Sequence, residues 1–141
     1  MTAGPGSAAD RSARWDEAAP HVVAFGADGL PAVRGTCAAL ALAAGLSRER
    51  ADELTLAVHE VAANSIRHGG GRGTFSLWTE ADRVVSQVQD AGHFRDLRAG
   101  ETEPDLDRED GRGLWLARQL CDLVQIRSNA GGTTIRLHVY R

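Results

Sequence analysis

Glu60 and Asn64, a carboxylate and an amide one helical turn apart, lead the residues of this sequence whose types and spacing could do chemistry. At i and i+4 they share one face of a helix. The amide oxygen of Asn64 suits a hard cation such as Mg2+, which takes oxygen ligands and usually keeps several waters. Glu60 could hold a metal-bound water or take the proton of an incoming hydroxyl. Asp90-Ala91-Gly92 is the second group. A carboxylate at a strand end must be hydrogen-bonded and can accept from an exocyclic amine, while Gly92 lets a flat ring approach the backbone. The third group, Gly111-Arg112-Gly113-Leu114, stands just before a helical pattern. Its glycines free the first backbone amides to face an anion in the favourable field of the helix dipole, and Arg112 can meet a phosphate. Gly132-Thr133-Thr134 adds a turn before the last strand. Each group also has an ordinary reading: a solvated helix face, a strand-ending turn, a loop that needs glycine, a hairpin turn. His68, beside Arg67, reads as a helix C-terminal residue interacting with the last carbonyls.

Taken in order, the groups describe a purine nucleotide held at its base, its metal and its phosphates. That order and spacing resemble the ATP-binding domain shared by gyrase, the heat-shock-90 chaperones, histidine kinases and MutL. Within it they are most similar to the small anti-sigma factors that are also serine protein kinases, in the actinobacterial style suggested by Gly113 to Asp122 (GLWLARQLCD). The resemblance spans positions 54 to 140. It implies ATP or ADP with Mg2+, Asn64 as metal ligand, Asp90 as adenine anchor and Glu60 as catalytic base. It also implies nucleotide contacts from Gly92, Gly111, Arg112, Gly113, Leu114 and Thr133. The sequence departs from the family's D-x-G-x-G pattern, because Phe94 replaces the second glycine. The implied biology is partner switching: sequestering an alternative sigma factor and phosphorylating a Ser or Thr of an anti-anti-sigma antagonist. A non-catalytic module, nucleotide-binding or nucleotide-free, is the rival. Retained Glu60 speaks for the enzyme, since a pure binder needs no base there. A P-loop is excluded, since no G-x-x-x-x-G-K-[ST] occurs and the chain has no Lys.

The elements that must position these residues follow from periodicity. Residues 1 to 19 are small, polar and aperiodic apart from Trp15, and are expected to be a flexible tail ahead of a single domain at 20–141. His21 to Phe25 suggests a strand. Leu30 to Ala44 predicts a helix with Pro31 in its first turn and Gly45 as its stop. Ser47 is a good N-cap for a longer helix running to about His68 and ending in Gly69-Gly70-Gly71. On it Leu54, Val58, Val61 and Ser65 form one stripe, with Glu60, Asn64 and His68 in a row on its flank. Gly73 to Thr79 and Arg83 to Asp90 predict a hairpin. Residues 91 to 110 have no clear period, and a stretch that long inside a small domain is more often functional than accidental. A short helix from Gly113 to about Cys121 and strands at Leu123 to Ser128 and Thr133 to Tyr140 complete an α+β two-layer sandwich. It has a mixed, mostly antiparallel sheet and helices on one face.

Composition narrows the function classes. The 141 residues are 43% hydrophobic and 25% charged, ordinary for a globular domain, and the net charge of −3 offers no footprint for nucleic acid. No run of 18 apolar residues suggests a membrane span, so a cytoplasmic location is expected. Cys37 and Cys121 fit buried thiols better than a disulfide or zinc site. The partners expected are a sigma factor, its antagonist and a second copy of the chain, with no direct contact to nucleic acid or membrane.

Overall fold

The computed structural model describes residues 22–92 and 112–141. The chain enters through β1 (Val23–Gly26) and a 3-10 turn at Ala27–Gly29, then forms α1 (Leu30–Ala43) and α2 (Arg48–His68). β2 (Arg72–Glu80) and β3 (Arg83–Asp90) form a hairpin, α3 spans Arg112–Leu120, and β4 (Leu123–Asn129) and β5 (Gly132–Tyr140) form a second hairpin. The strand order is β1-β2-β3-β5-β4. The sheet expected to be mixed and mostly antiparallel is antiparallel in all four pairings. Helix and strand ends fall within one or two residues of the expected positions, and His21 lies outside the described residues.

Local chemistry explains the long helix that carries half of the candidate residues. The Ser47 hydroxyl caps α2 by accepting the Arg50 backbone N–H at 3.1 Å. At its other end the chain turns through Gly70 and Gly71 at φ +93° and +81°, angles that favour glycine. Between these ends Leu54, Val58, Val61 and Ser65 are buried, while Glu60 and Asn64 are half-buried on the flank and His68 is exposed. Arg50 ties α2 to the end of α3, donating to Glu53 and Asp122 at 2.8 Å each and to the Leu120 carbonyl at 3.2 Å.

The core fills the space between the three helices and one sheet face. Val33, Cys37 and Ala41 of α1, the α2 stripe, and Leu114 and Ala117 of α3 pack on Phe75, Leu77, Val84, Val88, Ile135, Leu137 and Val139. Strand residues alternate between faces, so Trp78, Val85, Gln87, Arg136 and His138 point to the side that carries none of the described helices. Both cysteines are buried free thiols, and burial pushes them up to about 11 for Cys37 and about 12 for Cys121. Among the described residues no helix is long and apolar enough to cross a membrane.

Candidate functional site

Asp90 ends β3 directly beneath the C-terminal turn of α2. Its carboxylate is fixed from two sides: Oδ2 accepts the Ser65 hydroxyl at 2.6 Å, and Oδ1 accepts the Gly92 backbone N–H at 2.8 Å. Charge-assisted bonds of this kind are the strong ones. Three glycines make room for the arrangement. A Cβ on Gly69 would collide with the Asp90 carboxyl, and one on Gly92 would meet the Gly69 Cα and the His68 carbonyl at 2.8 Å each. Gly132, at φ +122°, lies against the Asp90 backbone carbonyl so closely that no side chain fits. The Thr133 hydroxyl then donates to the Gly92 carbonyl at 2.7 Å and meets Ser128 Oγ at 3.1 Å, pinning the Asp90-Ala91-Gly92 turn to β5.

Glu60 and Asn64 stand on the same helix as Ser65, about one turn apart. Glu60 faces the start of α3, where a Cβ on Gly113 would come within 3.2 Å of its Oε1. Gly113 therefore lets α3 seat against this carboxylate. The Asn64 Oδ1 accepts from the Arg67 guanidinium at 2.8 Å, an exposed bond that any cation at that oxygen has to displace. Among the described residues no group of three or more His, Cys, Asp and Glu could hold a metal. A cation here would draw on Asn64 and on the oxygens of a ligand.

The remaining residues expected at the site divide. Thr133 and Gly92 join the Asp90 cluster, and Gly113 joins Glu60. Arg112 is exposed at the first position of α3. Leu114 is 1% exposed in the core, so only its backbone is left to meet a ligand. Gly111 and Phe94 lie outside the described residues, as does most of the 91–110 stretch. A cleft of about 610 Å³ touches Asp90 from the β1–β2 side, lined by Ala24, Thr74, Gln89, Ala91 and Gly131 among others, and includes neither Glu60 nor Asn64. Ser65 and Gly69 are cluster members that the sequence placed only in the apolar stripe and the helix stop, and Gly132 is one it placed only in a turn. Ser65 carried a usable signal, because a hydroxyl inside an apolar stripe must find a partner.

The chain matches the histidine kinase-like ATPase domain over residues 25–139. It belongs to that family. No curated protein matches it. Among solved structures, this histidine kinase-like ATPase domain is similar to the SiaB–SiaC complex of Pseudomonas aeruginosa, with a TM-score of 0.65 at 11% identity, covering 94% of this chain and 96% of that one. It is also similar to the RsbU and RsbW domains of Rv1364c from Mycobacterium tuberculosis, with a TM-score of 0.57 at 17% identity over 86% of this chain. It spans only 33% of that protein. The histidine kinase AdeS of Acinetobacter baumannii gives a TM-score of 0.50 at 13% identity, with 85% of this chain and 67% of that one covered. At such identities these likenesses establish the fold, a helical layer on an antiparallel sheet.

Proposed function

We propose that this domain binds ATP or ADP with Mg2+ and acts as a partner-switching anti-sigma factor that phosphorylates a Ser or Thr of its antagonist. The observation that carries the nucleotide reading is the Asp90 carboxylate. It is held by Ser65 and Gly92 in a cradle of glycines, at the end of the sheet where α2 presents Asn64 and Glu60. Each carboxylate oxygen accepts one bond within the protein and keeps further lone-pair capacity, so an adenine amine can be accepted without breaking either bond. Family membership supports the cofactor, and the likeness to the RsbW-containing protein and to SiaB supports the regulatory class.

In this reading Asn64 Oδ1, once released by Arg67, would be the protein's ligand to Mg2+. The backbone amide of Gly113 would face the phosphates with Arg112 beside it, and Gly111, outside the described residues, is assigned there by the sequence pattern alone. Thr133 holds the Gly92 carbonyl and so fixes the turn under the base. Mg-ATP held by these residues would supply a γ-phosphoryl group for a Ser or Thr hydroxyl oxygen of the antagonist, with ADP as the leaving group. Glu60 takes the proton of that hydroxyl. Positioning and charge neutralisation carry most of such a transfer, so a small set of groups suffices.

One observation favours a second reading, a non-catalytic interaction module: the oxygen meant for the metal is already occupied by Arg67. Phosphate transfer to a purified cognate antagonist separates the two. The kinase reading expects transfer by the wild type and a loss of about two to four orders of magnitude in Glu60→Gln, the usual worth of a positioned base. Nucleotide affinity should be unchanged in that variant. Transfer undiminished by Glu60→Gln overturns the base assignment, and no transfer by nucleotide-bound wild type leaves the binding module.

A further inference from the structure

Ser65 directs its hydroxyl across the fold and not onto its own helix. A serine or threonine inside a helix commonly bonds the carbonyl four residues back. Thr55 does so here, donating to the Ala51 carbonyl at 2.8 Å. Ser65, on the same helix, donates instead to Asp90 Oδ2 at 2.6 Å, 25 residues away. Its backbone is held where α2 ends, because its carbonyl accepts both the Gly69 and the Gly71 N–H, at 2.9 and 3.3 Å. The residue is 1% exposed. A hydroxyl so placed has no free path to a ligand, so what it does at the site it does through Asp90.

The two bonds on the Asp90 carboxylate differ in what they fix. The Gly92 N–H belongs to the same turn, two residues on, and holds Oδ1 relative to that turn. The Ser65 hydroxyl comes from α2 and holds Oδ2 relative to the helix that carries Glu60 and Asn64. An aspartate side chain turns about two bonds, the second with a broad preference, and one hydrogen bond at one oxygen leaves it a pivot. Without Ser65 the group swings about the Gly92 contact. The acceptor then no longer stands at a set distance from Asn64, the neighbour of Ser65 in the chain.

We propose that Ser65 is the positioning residue that sets base specificity at this site, a role that rests on the nucleotide reading above. Its hydroxyl holds the carboxylate so that acceptor lone pairs face position 6 of a purine, at one distance from Asn64. A 6-amino purine donates to that oxygen directly. A 6-oxo purine brings an acceptor to a fixed acceptor, and both are left unsatisfied. With the hydroxyl removed, the carboxylate turns aside and a water enters that donates to both oxygens. That water admits the 6-oxo base, while the direct contact with the 6-amino base is weakened. Ser65 therefore decides the ratio of the two affinities as well as the strength of binding.

Calorimetric titration of the full chain with Mg-ATP and Mg-ITP, whose bases carry an amine and a carbonyl at position 6, tests this in wild type, Ser65→Ala and Ser65→Thr. The ATP-to-ITP affinity ratio should fall about ten-fold or more in Ser65→Ala, because the anchor loses its orientation. It should return towards the wild-type value in Ser65→Thr, which keeps the hydroxyl. Urea unfolding of the same proteins registers the purely structural part of the bond. A Ser65→Ala protein that loses stability but keeps the ratio reduces Ser65 to a tie between α2 and β3, and overturns the proposal. Ser65→Cys, close in size and only a weak donor, carries the same expectation as Ser65→Ala and decides the matter if that variant does not fold. ATP binding by the wild type with equal affinity for ITP also overturns the role. No binding of ATP by the wild type removes the nucleotide reading itself and this role with it, so the wild type alone tells the two failures apart.

Discussion

Replacing Gly69 by alanine separates a glycine needed for its backbone from one needed for its missing side chain. Gly69 sits at φ −109°, an angle that alanine adopts freely, so the backbone offers no objection. Reduced freedom of the unfolded chain alone would make Gly69→Ala stabilising by about 0.4–1 kcal/mol. The new Cβ, however, lands on the Asp90 carboxyl, which must swing away and abandon both Ser65 and the Gly92 amide. Hydrogen bonds to a charged group contribute about 1.5–3 kcal/mol each, and half-burial places these at the low end. The net loss should be about 2–3 kcal/mol. Urea unfolding of wild type, Gly69→Ala, Asp90→Ala and the double variant makes the cycle. The cost of Gly69→Ala should vanish in the Asp90→Ala background, where nothing is left to displace. A stabilised Gly69→Ala, or a cost that persists without the Asp90 side chain, refutes the idea that these glycines exist to seat that carboxylate.

Further outcomes follow from the same geometry. Asn64→Ala should abolish Mg2+-dependent nucleotide affinity with the fold intact, whereas Arg67→Ala should tighten it about two-fold, because it frees Oδ1 from an exposed bond worth about 0.5 kcal/mol; titrations with and without Mg2+ check both. Burial, with Arg83 and Arg136 nearby and only Asp82 opposing, depresses His138 from 6.5 to about 4. Its neutral ring donates from Nε2 to Gln125 and accepts from Arg83 at Nδ1. The stability from keeping it neutral, up to about 3 kcal/mol, is complete above pH 6.5 and lost as pH falls towards 4. Urea unfolding across that range should show the slope, and His138→Gln should flatten it. Cys37 and Cys121 should resist a thiol reagent at pH 8 until denaturant is added.

The fold was legible because its signals were local. The Ser47 cap, the apolar stripe of α2, the Gly69–Gly71 stop and the alternation in β2, β3 and β5 each announce an element and its buried face. The placement of Asp90 at the end of β3 followed from the same alternation. Its partners did not, because they depend on which elements cross: Ser65 comes from 25 residues away, and Gly132 from the start of β5. The bond between Arg67 and Asn64 is a choice among exposed rotamers that spacing does not fix. The burial of Gln87, Arg136 and His138 was hidden for a related reason: they are polar residues at positions facing away from the described helices, where alternation predicts water.

The most direct test of the central claim is a calorimetric titration of the purified chain with Mg-ATP, Mg-GTP and Mg-ADP, repeated with Asp90→Asn. Binding of both adenine nucleotides, with guanine rejected and that preference relaxed in Asp90→Asn, is the predicted result, because a carboxylate facing the guanine carbonyl leaves two acceptors opposed. No heat at millimolar nucleotide, or equal affinity of the wild type for ATP and GTP, would contradict the account.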